Sequence, residues 1–470
     1  MILSPSNTVI LRVEAAADTA VTAQIVAELT DLGTALRGMD VRRGDHDKVI
    51  LDITCDTRSP EHQEEVVEGL EQIPEVKVLR VSDATFMAHK DGKIEVSLKA
   101  PIRNRADLSR VYTPGVARVC TEIAKNPARA RDLTIKRNTV AVVTDGSAVL
   151  GLGNIGPTAA LPVMEGKAAL FKQFGGVDAW PVCLDTTDTE EIIRIVEAIA
   201  PVYGGINLED IAAPRCFEVE ARLREKLDIP VFHDDQHGTA IVVLAALINA
   251  LQVVEKKLED VRIVVSGVGA AGSAIIRLLL AQGARDIVGY GRTGAIHSGI
   301  ETNDPSRRRL AENTNPRGVT GSLVDGLVGA DVFIGVSKGN ILTGADVATM
   351  TSGAIVFALA NPTPEVDPLE AAATAAIVAT GRSDYANQIN NVLAFPGLFR
   401  GLLDVGAREI SDEILRAAAV AIANVVPEDA RTATYIIPGV FDPSVGEAVA
   451  VAVREQATLE LSGGGNSVQV

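Results

Sequence analysis

Long apolar runs, paired cysteines and an excess of positive charge are all missing from this chain of 470 residues. Each absence removes a class of protein. No apolar run reads as long enough to cross a bilayer, although apolar residues make up 47% of the chain, so no membrane partner is expected. The opening MILSPSNTVILRV lacks a basic stretch leading into an apolar segment and a small-residue cleavage site. No secretory leader is read there, and a cytoplasmic location is expected. The four cysteines, Cys55, Cys120, Cys183 and Cys216, show no C-x-x-C spacing, which predicts free buried thiols rather than disulfides or a zinc site. A net charge of −17 offers nothing to a polyanion, so nucleic acid is not expected as a partner.

What is present reads as an α/β protein of several domains. Residues 1–88 form a first unit: TVILRVEA alternates like a strand, and TAVTAQIVAELTDLG has helical spacing and ends at Gly33. ALRGMDVRR and KVILDITCD read as strands, SPEHQEEVVEGLEQIP as a helix with Ser59 as N-cap and Pro60 at its first position, and VKVLRVSD as a last strand. The order β-α-β-β-α-β is that of a ferredoxin-like fold. It resembles an ACT domain, a module that senses amino acids or other small metabolites or serves as a dimerisation surface. FMAHKDGKIEVSLKAPIRNRADLS is polar and broken and reads as a linker. Strand-like and helical runs then alternate through residues 89–238 and again through 239–410, and 411–470 reads as helices that pack back on the preceding domains. SGGGNS near the C-terminus reads as a frayed tail.

Two glycine motifs match G-x-G-x-x-G: Gly151, Gly153 and Gly156 in VLGLGNIG, and Gly267, Gly269 and Gly272 in SGVGAAG. A dinucleotide loop needs a buried strand before it and an unbroken helix after it, whose N-terminus meets the pyrophosphate. VRIVV and SAIIRLLLAQG supply both for the second motif, whereas Pro162 and Gly166 predict a disrupted helix after the first. Gly267, Gly269, Ala270, Ala271 and Gly272 are therefore the expected coenzyme loop. The next strand, DIVGYGRTG, lacks the acid that would grip the ribose 2′-OH of NAD; Gly291 and Arg292 stand there, with Arg307, Arg308 and Arg309 downstream. A guanidinium suits a 2′-phosphate, so NADP is expected over NAD.

Two acidic pairs carry the chemistry: Glu209-Asp210 in INLEDI and Asp234-Asp235 in VFHDDQHGTA. Four carboxylates brought together repel unless a cation sits among them, and hard oxygen donors without Cys or spaced His point to Mg²⁺ or Mn²⁺.

SRVYTPGVA, VTDGSAVLGLGNIGPTAALPVMEGKAALF, INLEDI, VFHDDQHGTA, ALANPTPE and NQINNVLAFPG occur in the order found in the malic enzyme family. The resemblance covers about seven tenths of the chain, and the whole resembles a bacterial malic enzyme with an N-terminal ACT domain. It implies an α/β substrate domain, a Rossmann-like NAD(P)-binding domain, and oxidative decarboxylation of malate to pyruvate and CO₂. It further implies Lys167 as general base with Asp234 orienting it, and Glu209, Asp210 and Asp235 as metal ligands. Tyr112 would be the acid that protonates enolpyruvate, with Asn361 and Asn391 near substrate and nicotinamide; the assembly implied is a homodimer. GLGNIG would then lie against substrate and metal rather than coenzyme. Ala148 stands where larger members carry an arginine for a malate carboxylate, leaving Ser147, backbone N–H groups or a partner subunit to meet it. Three rival readings remain: a malolactic conversion with NAD kept bound, an amino-acid dehydrogenase, and a catalytically silent metabolite sensor.

Overall fold

The computed structural model describes residues 5–463 apart from 150, 301 and 303. The greater part of the SGGGNS tail lies outside the described residues. The chain divides into two compact units, Met1–Ser97 and Leu98–Val470.

In the first unit, β1 (Thr8–Ala16), α1 (Thr19–Asp31), β2 (Ala35–Gly44), β3 (Lys48–Asp56), α2 (Pro60–Glu71) and β4 (Lys77–Asp83) succeed one another. The four strands pair in the order β2-β3-β1-β4, antiparallel throughout. Alternate residues of β1 (Val9, Leu11, Val13, Ala15) are buried against Ile25 and Leu29 of α1 and Val66 and Leu70 of α2. Ser59 caps α2 by accepting from the His62 N–H at 3.2 Å, and Gly33 takes φ +73° just past α1. The stretch read as a linker opens with a short helix, α3 (Ala84–His89), capped by Asp83.

On the other face of that sheet, Asp52 accepts from Arg12 Nε at 2.8 Å and Arg42 Nε at 2.6 Å. Hydrogen bonds from Arg12 and then Arg42 hold its carboxyl well below the usual carboxylate range, against the opposing effect of burial. A depressed folded-state value stabilises the fold above the unfolded carboxyl's ordinary value, and that contribution is lost as pH falls below it. Hydrogen exchange of β1 and β3 is therefore expected to accelerate below about pH 4, and Asp52→Asn to raise exchange already at neutral pH. An acid response identical in wild type and variant would remove Asp52 from this role.

The second unit holds two sheets. β5 (Thr139–Thr144), β6 (Asp178–Cys183), β7 (Gly205–Leu208) and β8 (Val231–His233) form a parallel sheet in the order β6-β5-β7-β8. β9 (Arg262–Ser266), β10 (Asp286–Gly291), β11 (Gly294–Ala295), β12 (Val332–Gly335), β13 (Ile355–Ala358) and β14 (Ile377–Thr380) form the other, in the order β11-β10-β9-β12-β13-β14, parallel except for the hairpin strand β11. This is a Rossmann-like sheet whose order reverses at β9, the place where such sheets bind ligands beyond the strand ends. Ahead of β5 stand two short helices, α4 (Arg105–Val111) and α5 (Val116–Lys125). α6 (Gly156–Gly175), α7 (Thr189–Ile199) and α8 (Arg215–Lys226) alternate with the strands of the first sheet, and α9 (Thr239–Val253) leads to β9. α10 (Ala270–Ala281) and α11 (Pro305–Asn313) belong to the Rossmann-like half. α12 (Phe395–Val405), α13 (Asp412–Val425) and α14 (Pro443–Gly463) close the chain, with α14 packed on α12 and α13, and α13 on α9.

Two expectations from sequence fail here. α6 runs unbroken through Pro162. One proline deletes one backbone hydrogen bond, and the buried face of Ala160, Met164, Ala168 and Phe171 outweighs that loss. Asp234–Val253, in turn, has both the length and the hydropathy of a membrane span, contrary to the reading that no such run exists. It is a core helix, 78% buried between its neighbours. Composition alone does not separate the two, because a helix surrounded by protein is apolar on every face.

Candidate active site

β5, β7 and β8 are parallel neighbours, so the residues next in the chain emerge along one edge: Asp145 after β5, Glu209 and Asp210 after β7, Asp234 and Asp235 after β8. α6 brings Lys167 to the same edge. Its ammonium lies 2.5 Å from Asp234 Oδ2, 3.0 Å from Glu209 Oε1 and 4.0 Å from the centre of the Phe395 ring, with only 7% of the side chain exposed. Asn391 donates its amide to the same Asp234 oxygen. Ligand oxygens of Glu209, Asp210 and Asp235 all fall within 4.8 Å of one another.

The acids are stapled in place. Asn207 donates to Glu209 Oε2 at 2.8 Å, and the Asp210 N–H donates to Asp235 Oδ2 at 2.9 Å. Asp210 takes φ +53°, a left-handed conformation that aspartate tolerates better than most side chains. The glycine loop before α6 joins this arrangement: Ala148 N–H donates to the Asp210 carbonyl at 2.9 Å. Ser147 Oγ donates to Asp145 and accepts from Ala212 N–H at 2.9 Å, while Arg215 grips Asp145 Oδ2 through Nε and Nη2. Ser147 and the Ala148 N–H are thus engaged in holding the loop beside the acidic cluster, which leaves neither free for a substrate carboxylate. Gly146 has no alternative, since a Cβ there would meet the Gly156 carbonyl at 2.3 Å.

The electrostatics arise from burial among like charges. Burial, then Asp235, pushes the Asp210 carboxyl up to about 7, and Glu209 is driven well above its ordinary range by burial. For Lys167, burial favours the neutral amine, but Asp234 and then Glu209 outweigh it and hold the ammonium charged. Three hard carboxylates that repel at neutral pH fit a divalent ion of the Mg²⁺ or Mn²⁺ type.

The second glycine motif ends β9. Gly267 takes φ +97°, and a Cβ on it would meet the Val336 carbonyl at 2.6 Å; one on Gly272 would meet the Gly267 carbonyl at 1.7 Å. Only glycine lets the strand turn this tightly into its helix. Gly269 precedes α10 with no side-chain cap, so the first N–H groups of Ala270 and Ala271 stay open to a ligand. A cleft of about 1010 Å³ lies beyond the strand ends, lined in part by Gly267, Gly269, Arg292, Arg307 and Lys338. It has the site and the open donors for a dinucleotide.

Asn361 sits after β13, and a Cβ on Gly151 would lie 3.8 Å from the adjacent Pro362, so this turn reaches the first glycine loop. The turn is held by a residue that sequence reasoning passed over: buried Glu365 accepts from the Ser337 N–H at 2.8 Å and the Ala360 N–H at 3.0 Å. Asp145 and Arg215 were missed in the same way. Asp145 and Glu365 lie inside motifs read for other residues and Arg215 outside all of them, because a charge that braces a loop has no spacing of its own. Tyr112 is not brought to the cluster: it ends α4 with its side chain 67% exposed, and among the described residues nothing hydrogen-bonds its hydroxyl.

Comparison with known proteins identifies the family. Residues 91–224 match the malic enzyme N-terminal domain, and residues 236–458 match the malic enzyme NAD binding domain. The chain belongs to the malic enzyme family. Among curated relatives, the NAD-dependent malic enzyme of Geobacillus stearothermophilus is 58% identical over 92% of this chain and 91% of its own length. The bifunctional malic/malolactic enzyme of Bacillus subtilis is 53% identical over 78% of this chain and 90% of its own. Among solved structures, NAD-dependent malic enzyme from Thermotoga maritima aligns at a TM-score of 0.77 with 48% identity, over 79% of this chain and 99% of that one.

Proposed function

We propose that this malic enzyme family member oxidises (S)-malate at C2 with a nicotinamide dinucleotide and releases CO₂ and pyruvate. The observation that carries the reading is Lys167, buried between Asp234 and Glu209 and beside three converging carboxylates. Lys167 takes the proton of the C2 hydroxyl, with Asp234 and Asn391 fixing where its amine points. Mg²⁺ or Mn²⁺ held by Glu209, Asp210 and Asp235 would supply a Lewis acid for the C2 oxygen and positive charge against the Lys167 ammonium. The coenzyme in the β9 cleft would accept the C2 hydride. Tyr112 then gives its phenolic proton to C3 of the enolate left by decarboxylation, and the phenolate regains, by way of water, the proton that Lys167 took from the C2 hydroxyl. An assay with malate, Mn²⁺ and each coenzyme in turn tests this; no reduced coenzyme with either one overturns it. A malolactic conversion is the second reading, favoured by the name of the Bacillus subtilis relative. It predicts lactate without net accumulation of reduced coenzyme.

NADP is the coenzyme that the local chemistry favours: Arg292 and Arg307 line the cleft, and no acid ends β10. The name of the Geobacillus relative points the other way, to NAD. Arg292→Ala is expected to lower kcat/KM for NADP by about 10- to 100-fold while leaving NAD nearly unchanged, the worth of one charge-assisted hydrogen bond. Equal losses with both coenzymes would show that Arg292 does not read the 2′-phosphate. The first unit, with its β-α-β-β-α-β order and β2-β3-β1-β4 sheet, is proposed as an ACT-like, ferredoxin-like module for a small effector. A homodimer is the proposed assembly.

A further inference from the structure

We propose that the cavity walled by α8, α10 and α11 is an effector site for an organic anion with an apolar body, and that a bound anion loosens the turn carrying Asp235. The cavity measures about 910 Å³ and adjoins the coenzyme cleft, with Pro214, Phe217 and Asp304 on the border of both. Its walls are single helix faces. Phe217, Ala221 and Arg224 line it from α8, at the spacing of one such face. Ser273, Arg277 and Leu280 do the same from α10. The third helix, α11, divides its arginines between two sites. Arg307 lines the coenzyme cleft and Arg309 this cavity, because residues two apart on a helix do not share a face.

The cavity combines unanswered positive charge with apolar walls. Among the described residues nothing pairs with the Arg309 guanidinium, and Arg277 is held loosely, 3.4 Å from Asp412 Oδ1. Acids on the lining are already engaged: Glu218 by Arg222 at 2.9 Å, and Asp304 by the Ser306 N–H at 2.9 Å as N-cap of α11. Phe217, Leu280 and Leu310 supply the apolar surface. A bare inorganic anion would leave those walls wet, and a neutral apolar molecule would leave the guanidinium groups unanswered. A buried polar wall then ties the cavity to the ion ligands. Glu220, Gln236 and His237 line it and are each more than nine-tenths buried. Glu220 accepts from Gln236 Nε2 at 3.0 Å and pairs with His237 Nε2 at 2.7 Å. Arg277 Nη2 donates to His237 Nδ1 at 3.3 Å, which assigns the imidazole proton to Nε2. Gln236 and His237 directly follow Asp235 in the turn Asp234–Gly238. An anion that draws Arg277 to itself removes the donation to His237 and frees that turn to move.

The aromatic anion anilinonaphthalene sulfonate, whose fluorescence rises on entering an apolar site, tests this on the folded full-length protein. Saturable binding is expected, about tenfold weaker in Arg277→Ala and in Arg309→Ala, the worth of one charge-assisted hydrogen bond each. Both side chains are exposed, so neither change opens the core, and unchanged melting temperatures would show that the variants fold. Neither NAD nor NADP should displace the probe, and inorganic phosphate at the same concentration should not compete. Saturating Mg²⁺ should weaken the probe by about fivefold, because an anion that loosens the ion's turn is itself loosened by the ion. Displacement by either dinucleotide would put the probe in the coenzyme cleft and overturn the proposal. Affinity that ignores both arginine changes, competition by phosphate alone, or no binding at all would overturn it too, the last because protein would then already fill the cavity. Equal affinity with and without Mg²⁺ would overturn the link to the Asp235 turn. None of these readings needs turnover, so inactivity toward malate would sink the malate reading while the probe still decides the cavity.

Discussion

Asp235→Ala is expected to reduce metal-dependent turnover by about three orders of magnitude, because a Lewis acid at the C2 oxygen contributes several kcal/mol to the transition state. Asp235 is 35% exposed on the turn after β8, the most exposed of the three acids, so its removal opens to solvent and the fold should survive. The loss would then be one of ion binding, and it is separable by titration. Asp210 is pushed up to about 7 by burial and then by Asp235. A carboxyl raised in the folded state binds its proton more tightly there than in the unfolded chain. Stability of the ion-free protein therefore falls as pH rises from the ordinary carboxylate range toward that value. Ion binding requires the same proton to leave, so affinity rises over the same window. The melting temperature of chelator-treated wild type is expected to fall between about pH 5 and 8, with Mn²⁺ restoring it most at the upper end. At a hundredfold excess over Kd the ion adds about 2.7 kcal/mol to wild type, and Asp235→Ala should lose that increment. A variant that keeps near-normal turnover, or an unchanged Mn²⁺ response, would remove Asp235 from the ligand set.

Many strands and helices of both units were legible because their burial patterns are regular, whereas α3 and α4 fall in the polar stretch read as a linker. β1 alternates, α2 announces itself with Ser59 and Pro60, and the run from β9 through α10 has the strand-glycine-helix pattern of a dinucleotide loop. The acidic pairs were legible because parallel neighbouring strands deliver the residues beyond their C-terminal ends to one edge. Glu209-Asp210 and Asp234-Asp235 therefore meet, although Asp210 and Asp235 stand 25 positions apart in the chain. Three things were not legible. Pro162 inside α6 was misjudged because a local penalty was weighed without the buried face that offsets it. α9 was missed as a span-like run because composition does not tell core from bilayer. Ser147, Asp145 and Arg215 brace one another across 70 residues, and a bond of that kind depends on the folded topology rather than on any spacing in the chain. Ser147 was accordingly offered as a partner for the substrate carboxylate, when its hydroxyl is already held at both ends.

Lys167→Ala is expected to slow malate oxidation by about 10²- to 10⁴-fold, the usual contribution of a positioned general base. The substitution has a structural cost as well. It leaves Asp234 and Glu209, both buried, without their cation, and breaking such a pair typically destabilises by about 3–5 kcal/mol. A fall in activity alone would therefore not assign the role. Decarboxylation of added oxaloacetate separates the two effects, since that half-reaction needs the carboxylate trio but no base for a C2 hydroxyl. If Lys167 is the base, the variant keeps most of its oxaloacetate decarboxylation and its coenzyme binding while malate oxidation collapses. If its part is only to neutralise Asp234 and Glu209, both reactions and the melting temperature should fall together, and Lys167→Arg, which keeps the charge, should restore both. Restoration of malate oxidation by arginine would exclude Lys167 as the base, because a guanidinium remains protonated throughout the working range and can accept no proton.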